Sequence, residues 1–410
     1  MFRFPIALLL LAANTLAVAE PLTLDAALDI AARTAPDVEM QDANVEEATA
    51  ASAAAGRLPD PRLALGIENV PAEGADQWSL TDDFMTMRKV GIVQEVPNRS
   101  KRRAARDVAA AAVSTAQLER RTRLLLIRRD TAVAWLTRFY AEQRAARLDE
   151  LEREKRLFAA AVQAQLVGGK STAADAIVPQ QEAAELADRR DDLAREIAQS
   201  RNGLARWIGA AADAPLSSST SELPIDAERL RAHVHEHPEL AVFVPMTAMA
   251  QAEVHEAEAT KKPDWGVELA YGKRGAAFDD MVSVEFTVGL PLFARTRQDP
   301  QIAAKRQALR RVEAERLAML RDHTQELDND LADYEALSRQ LERMRNTRLP
   351  LARRQVEYEF AGYRAGKGDL TSVLSARREL IDRKLELIQL EGRQAVAAAK
   401  LYFIYGEGAQ

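Results

Sequence analysis

The side chains best suited to bind a metal ion lie in one short segment, His233-Val234-His235-Glu236-His237. If this segment is helical, His233 and His237 lie one turn apart on the same face and could hold a transition metal together. The competing interpretation is a solvated helix end, since Pro238 follows directly. His323, far along the chain, is isolated in the sequence.

Four short segments of alternating residues each carry one glutamate among small residues: Glu68, Glu95, Glu268 and Glu285. Carboxylates placed around a pore would favour cations over anions. Polar residues also belong on any wet face of a sheet, so both interpretations stay open. The other carboxylates lie on charged helix faces, where pairing one turn away is their ordinary role. We expect neither enzymatic activity nor a cofactor.

Two glycine–lysine clusters form a third group of candidates. Residues 164–171 loosely match a phosphate-binding loop, but such a loop follows a buried strand, and here apolar residues at helical spacing come first. We interpret both clusters as helical hairpin tips, where glycine supplies the positive φ of the turn. These tips are candidates for contact with a partner protein: Gly168, Gly169 and Lys170, and then Gly366, Lys367 and Gly368.

The four alternating segments predict β-strands at about 62–70, 88–97, 264–272 and 281–291. Alternation with one apolar face indicates a strand that faces lipid or a core on one side. Their lengths match the ~9–11 residues of a tilted membrane-spanning strand, and Trp265 and Tyr271 suit an interfacial aromatic band. A soluble four-stranded sheet is the alternative.

Four strands cannot close a barrel in lipid, because open edges would leave backbone groups unpaired. Several copies of the chain would therefore each have to contribute a sector. Each pair of strands is predicted to form a hairpin. The connecting loops, Pro71 to Met87 and Lys273 to Asp280, would face outward from the cell.

The rest of the chain predicts long helices arranged in two similar halves, residues 20–210 and 225–406, joined by a serine-rich linker at 211–224. Each half has a first helix, two strands, a long helix, a glycine-marked break and a return helix. A helix over about 98–166 would be roughly 100 Å long at 1.5 Å per residue. Apolar residues at coiled-coil spacing include Leu327, Leu331 and Leu341, followed by a seam through Ile381 and Gly392.

The beginning of the chain predicts export. A basic start, a short apolar run and Ala17-Val18-Ala19 follow the order of a signal peptide over residues 1–19, cleaved before Glu20. The sequence contains no cysteine, which excludes disulfides and a lipidated cysteine at the new N-terminus. No later segment is apolar enough for a membrane helix, so entry into a membrane would require strands. Residues 407–410 form a short tail, and the net charge of −6 gives no reason to expect nucleic-acid binding.

These features together resemble the TolC family of outer-membrane efflux factors. The local marks are Tyr363-Arg364-Ala365-Gly366, followed by Val373-Leu374, and Leu166-Val167-Gly168-Gly169 in the first half. The resemblance implies a mainly α fold with a small β part: a long coiled-coil α-helical barrel joined to a transmembrane β-barrel sector. It further implies a homotrimer in outer-membrane lipid, with a twelve-stranded barrel and a helical tunnel into the periplasm.

The resemblance also implies partners: a periplasmic adaptor protein and an inner-membrane transporter of the RND type, which supplies the energy. Members of this family carry aspartates near the tip that line an inner aperture. Here Ser372 and Ser375 stand at those places, with Asp369 nearby and Asp175 in the first half. The chain looks most similar to the heavy-metal branch, which predicts a passive exit duct for metal cations. A duct for drugs or for type I protein secretion, and a soluble periplasmic coiled-coil scaffold, are the alternatives.

Overall fold

A computed structural model describes residues 21–169, 177–220 and 222–406. It confirms the predicted fold class, a mainly α protein with a single small four-stranded sheet in its described part. The predicted signal peptide at 1–19 and the tail at 407–410 lie outside the described residues. Among the residues described, no helix combines the length and hydropathy that a membrane-spanning helix needs.

The described residues form nine α-helices and four strands, together with short 3₁₀ turns and one π-helical turn. The strands are β1 (Arg62–Glu68), β2 (Met87–Val96), β3 (Trp265–Lys273) and β4 (Met281–Val288). The helices are α1 (Leu24–Thr34), α2 (Pro36–Ala54), α3 (Arg99–Val167), α4 (Val178–Ile208), α5 (Ala227–Ala232), α6 (Pro238–Ala259), α7 (Gln298–Arg343), α8 (Leu349–Arg364) and α9 (Leu370–Tyr405).

Both first helices, predicted as continuous, are broken before a proline. Ala35 is extended between α1 and α2, and His237 is extended before α6. The residue before a proline is disfavoured in the α region, and proline itself donates no backbone hydrogen bond. A third proline, Pro350, follows the π-helical turn Met344–Arg348. The wider turn accommodates a ring that would otherwise clash with the carbonyl of Asn346.

The chain divides into two compact units, and each can be described by itself. The first unit comprises residues up to 35 together with 127–225 and 330–403. Its apolar residues point inward: Trp135 is fully buried and donates a hydrogen bond to the Leu22 carbonyl at 3.1 Å. One core cluster joins α3, α4 and α9 through Leu151, Leu193 and Ile381.

Small residues and one buried arginine fix the helices of this unit. Gly392 in α9 packs against Tyr140 in α3, and a Cβ at Gly392 would lie 2.9 Å from the Tyr140 Cβ. The buried Arg138 donates hydrogen bonds to the carbonyls of Ala212 at 2.6 Å and Ala214 at 3.1 Å. The predicted linker is therefore tied to α3 at its start, because a buried guanidinium must satisfy its donors.

The second unit comprises residues 36–126, 226–329 and 404 onward, and it contains the sheet. The strand order is β1-β2-β3-β4, and every neighbouring pair is antiparallel. Asn98 joins β2 to α3: its backbone N–H donates to the Asp264 carboxylate at 2.8 Å, and its side chain accepts from the Lys101 N–H at 3.0 Å. The helical part of the unit has its own apolar cluster of Phe243, Ala250 and Val312.

Candidate functional site

One face of the sheet is apolar and exposed across all four strands. The register aligns Leu63, Ile92, Leu269 and Val284 in one row across the sheet. The next row contains Leu65, Val90, Tyr271 and Val282. Leu65 is 73% exposed and Phe286 is 70% exposed.

This exposure is unusual for a protein that stays in water. Contiguous apolar surface of this kind marks a face that contacts a partner or lipid. The sequence supplies the pattern, since side chains alternate along a strand, and the in-register pairing adds the four strands into one continuous surface. The sheet therefore presents an apolar face for which the described residues provide no cover.

The opposite face carries all four predicted glutamates. Glu268 lies directly opposite Glu285 in the β3–β4 pair and opposite Val93 in the β2–β3 pair. Glu68 pairs with Met87, which lies on the same face of β2 as Lys89. Glu95 comes two positions after Val93 and therefore lies on that face as well. The expectation that these carboxylates share the small-residue face agrees with the register, while their role in a lumen stays a prediction.

Two basic side chains on this face were missing from the sequence-based site. The Lys89 ammonium lies between two carboxylates, 3.0 Å from Glu68 Oε1 and 2.7 Å from Glu268 Oε1. Arg62 forms a salt bridge with Glu95. The sequence alone could have placed Lys89 on this face, because Lys89, Gly91 and Glu95 are separated by even numbers of positions in β2. The face therefore carries paired charges rather than carboxylates alone.

Glu285 differs from the other three glutamates. Within the described part of the chain it forms no salt bridge, although Glu268 stands directly across from it. Like charges on directly opposed strand positions repel each other. The bridge from Lys89 to Glu268 offsets that repulsion, and it leaves Glu285 as the carboxylate with the least local compensation.

The two hairpin loops lie at the same end of the sheet and contact each other. The rings of Phe84 and Phe278 are 6.5 Å apart, and Arg274 donates a hydrogen bond to the Phe84 carbonyl at 3.1 Å. Gly275 is required at this contact, because an added Cβ would lie 1.8 Å from the Thr81 carbonyl oxygen. The two loops therefore share one end of the sheet, and their outward direction from the cell stays a prediction.

The tip in the second half is a glycine turn between α8 and α9. Gly366 has a φ of 69°, and the Lys367 N–H donates to the Gly362 carbonyl at 3.0 Å. Gly366, Lys367 and Gly368 are all exposed. In the first half Gly168 follows α3 directly, and the next residue, Gly169, has a φ of 68°. Lys170 lies outside the described residues.

Asp369, predicted near an inner aperture, has a local structural role. Its carboxylate accepts a hydrogen bond from the Ser372 N–H at 2.7 Å and another from the Ser372 hydroxyl at 3.3 Å. This is the geometry of an N-cap at the first turn of a helix, here α9. Ser375 is exposed one turn further along α9, and Asp175 lies outside the described residues.

Residues 234–407 match the outer membrane efflux protein family. This efflux-protein segment contains β3, β4, α7, the second tip and α9. No significant match was found among curated protein sequences. The family match therefore rests on the second half of the chain.

Solved structures similar to this chain cover almost all of it. A membrane protein from Pseudomonas aeruginosa has a TM-score of 0.79 at 16% identity, covering 93% of this chain and 90% of its own. The outer membrane protein VceC from Vibrio cholerae has a TM-score of 0.74 at 19% identity, with 93% and 96% covered. The open state of the Neisseria gonorrhoeae MtrE outer membrane channel has a TM-score of 0.74 at 15% identity, with 94% and 89% covered. At these identities the likeness concerns the fold.

The efflux-protein segment also contains His237 and His323, whereas His233 lies directly before it. The predicted pair of His233 and His237 is wrong in its geometry. A 3₁₀ turn, Val234–Glu236, separates α5 from α6, so His233 and His237 do not share a face of one helix. His233 is exposed and contacts the Arg229 carbonyl at 2.8 Å. Proline at 238 ends helical continuity at His237, which instead begins α6 as its N-cap.

The actual neighbour of His237 is His323 in α7. Their ring centroids are 3.9 Å apart, and His323 Nε2 lies 3.0 Å from Glu239 Oε2. Both histidines are buried, and Tyr405 packs against them with its centroid 5.3 Å from His237. Burial, together with the nearby His323, lowers the pKa of His237 from 6.5 to about 4, against a smaller opposing effect of Glu239. His237 is therefore neutral at pH 7.

Proposed function

We propose that this chain is one protomer of an outer-membrane exit duct in a tripartite efflux system. The observation that carries the proposal is the exposed apolar face of the four-stranded sheet, backed by a face of paired charges. A sheet of this kind suits a boundary between hydrocarbon and water. The efflux-protein match of residues 234–407 and the likeness to outer membrane channels support the same conclusion.

Several copies must cooperate for this function. In the described sheet β1 and β4 each have one unpaired edge, and such edges are not tolerated in lipid. Three copies of a four-stranded sector would give twelve strands, within the range of closed membrane barrels. We therefore propose a homotrimer in which the apolar face meets outer-membrane lipid and Glu68, Glu95, Glu268 and Glu285 face the lumen.

The helices would continue the duct into the periplasm. In this arrangement the tips at Gly168–Lys170 and Gly366–Gly368 meet a periplasmic adaptor, and the region of Asp175, Asp369, Ser372 and Ser375 narrows the inner end. The energy source lies in an inner-membrane transporter, for which the resemblance indicates the RND type. Export through an N-terminal signal peptide belongs to the same proposal.

For the substrate we propose metal cations. The support is the resemblance to the heavy-metal branch stated for the sequence. A lumen lined by carboxylates would be a second argument for cations, but Lys89 and Arg62 compensate three of the four glutamates. A duct for drugs or secreted proteins is the other outcome of the substrate test.

The assembly test uses the untagged protein, expressed in a Gram-negative host from the gene with its predicted signal peptide. We expect it in the outer-membrane fraction, as a trimer by chemical cross-linking and by a heat-sensitive band in denaturing gels, and with conductance in planar lipid bilayers. A protein that stays in the periplasmic supernatant, or a stable monomer in detergent without conductance, would contradict the proposal.

The substrate test uses the gene deletion in its native host, complemented in parallel by the wild-type gene. We expect increased sensitivity to divalent metal salts and little change toward drugs. Sensitivity to drugs alone would reject metal cations as the substrate while leaving the exit duct intact, so the two parts of the proposal fail separately.

A further inference from the structure

We propose that His237, Glu239 and His323 form a binding site for one divalent transition-metal ion of the zinc type. The site is distinct from the sheet and the tips, and it does not depend on the proposed function. The three residues belong to two elements: His237 and Glu239 begin α6, and His323 lies in α7, 84 positions after Glu239.

The geometry is close to that of a three-ligand site. One ligand atom from each residue can be chosen so that all three lie within 4.8 Å of one another. A tetrahedral ion with bonds of about 2.1 Å places its ligand atoms about 3.4 Å apart. His323 Nε2 and Glu239 Oε2 are already at 3.0 Å, so only small side-chain rotations would bring His237 into range.

The donor set selects the class of metal. Two imidazoles and one carboxylate suit zinc, copper or nickel, whereas calcium and magnesium prefer oxygen ligands alone. Three protein ligands leave a fourth tetrahedral position for water. Two neutral imidazoles and one carboxylate would leave the divalent ion with a single net positive charge, a modest imbalance for a half-buried site.

Binding requires a rearrangement of protons and hydrogen bonds that the surroundings permit. The metal needs the lone pair of His323 Nε2, so the neutral ring must carry its proton on Nδ1, which faces the Tyr405 hydroxyl at 3.5 Å. A metal-bound histidine commonly holds its other nitrogen against such a partner. His237 Nδ1 accepts the Glu239 N–H at a long 3.2 Å, so this weak cap is the contact most readily exchanged.

The burial of the two histidines gives the site a structural consequence. His237 and His323 are 6% and 7% exposed, so an ion here would fasten the first turn of α6 to the middle of α7. An ion that binds only the folded chain raises its stability in proportion to the logarithm of metal concentration over the dissociation constant. We therefore expect metal to stabilise this part of the second unit.

The test uses the full-length, untagged protein in detergent after dialysis against chelator. Calorimetric titration with Zn²⁺ should give one ion per chain, and Co²⁺ should produce the visible absorption of a tetrahedral site. His323→Gln and Glu239→Gln should each weaken Zn²⁺ binding by more than about tenfold. His233→Gln is the matched control, because His233 is a nearby exposed histidine outside the cluster, and it should bind as the wild type does.

Thermal unfolding separates loss of the site from loss of the fold. Zn²⁺ should raise the melting temperature of the wild type and of His233→Gln, and should leave His323→Gln unchanged, while all three keep the same helical circular dichroism. The proposal is overturned if Zn²⁺ binding is not saturable at one ion per chain. Equal loss of binding in His233→Gln and His323→Gln would overturn it as well, since that result would place the metal on the exposed histidines.

Discussion

The sheet of the second unit and the helical core of the first unit arrange their apolar residues in opposite ways. In the helical core Trp135 and Leu151 are fully buried, and Leu151 belongs to the cluster that joins α3, α4 and α9. In the sheet Leu65 and Phe286 are 73% and 70% exposed, while Lys89 lies between two carboxylates on the other face.

The contrast indicates different surroundings for the two regions, water around the helices and an apolar phase at the sheet face. Helices that bury an apolar stripe against one another gain stability from removing that surface from water. A sheet that leaves its apolar face exposed gains no stability from that face in water. Such a face is suited to lipid or to another apolar partner. Substitutions of matched chemistry in the two regions should therefore have different effects.

The largest difference is expected from removing an aromatic ring in each region. Trp135→Ala should lower the free energy of unfolding by about 3–5 kcal/mol, because it leaves a cavity and removes the hydrogen bond to Leu22. Phe286→Ala should cost several times less, since its ring packs against little protein. Denaturant unfolding of the detergent-solubilised protein measures both. Equal losses would show that the sheet face is covered within the chain's own fold.

A charge placed on either face of the sheet should distinguish lipid from water. Leu65→Lys puts an ammonium group on the apolar face and should cost about 2–4 kcal/mol near the middle of a bilayer. Ser283→Lys, on the opposite face, is the control and should be tolerated. The readout is the yield of membrane-inserted trimer. If both variants insert equally well, lipid does not contact the Leu65 face.

A smaller, pH-dependent effect is expected in the helices. Burial disfavours the charged form of Glu386, but hydrogen bonds from Arg383 and Arg348 outweigh it and lower its pKa from the usual 4.5. The unfolded chain therefore takes up the proton first as the pH falls, and the stabilisation is lost through the folded pKa. Glu386→Gln should destabilise by about 0.5–1 kcal/mol at pH 7.

This difference between wild type and Glu386→Gln should shrink as the pH falls below 4.5 and vanish below the lowered pKa of the folded state, measured by thermal unfolding across a pH series. Glu357→Gln is the control, because Glu357 is exposed and makes no salt bridge within the described residues. A pH-independent difference for Glu386→Gln would mean that packing of the side chain, rather than its charge, stabilises the helices.

The smallest effects should come from the charges on the polar face of the sheet. Glu285→Gln should lower the preference for cations over anions by a factor of about two or less in physiological salt, where screening acts within ~8 Å. Lys89→Gln should raise it, because Glu68 and Glu268 lose their shared counter-charge. Reversal potentials in asymmetric salt measure the ratio. Shifts of the same sign in both variants would contradict a lumen lined by this face.

Much of this architecture follows from periodicity. Alternating residues predicted the strands and placed Glu68, Glu95, Glu268 and Glu285 on one face, because side chains of a strand alternate by geometry. The absence of proline between Pro97 and Pro179 predicted the long helix that the structure places at Arg99–Val167. The same reasoning missed the breaks at Pro36 and Pro238, where the local effect of proline overrides a helical pattern.

What the sequence determined by itself is therefore whatever depends on neighbours along the chain: strand, helix, the face on which a residue lies and the glycine turn at Gly366. Only the tertiary structure decided which distant residues meet. Strand register brings Lys89 into contact with Glu268, and the packing of α6 on α7 brings His237 into contact with His323. Such pairings depend on contacts between segments far apart in the chain, and periodicity within either segment carries no information about its partner.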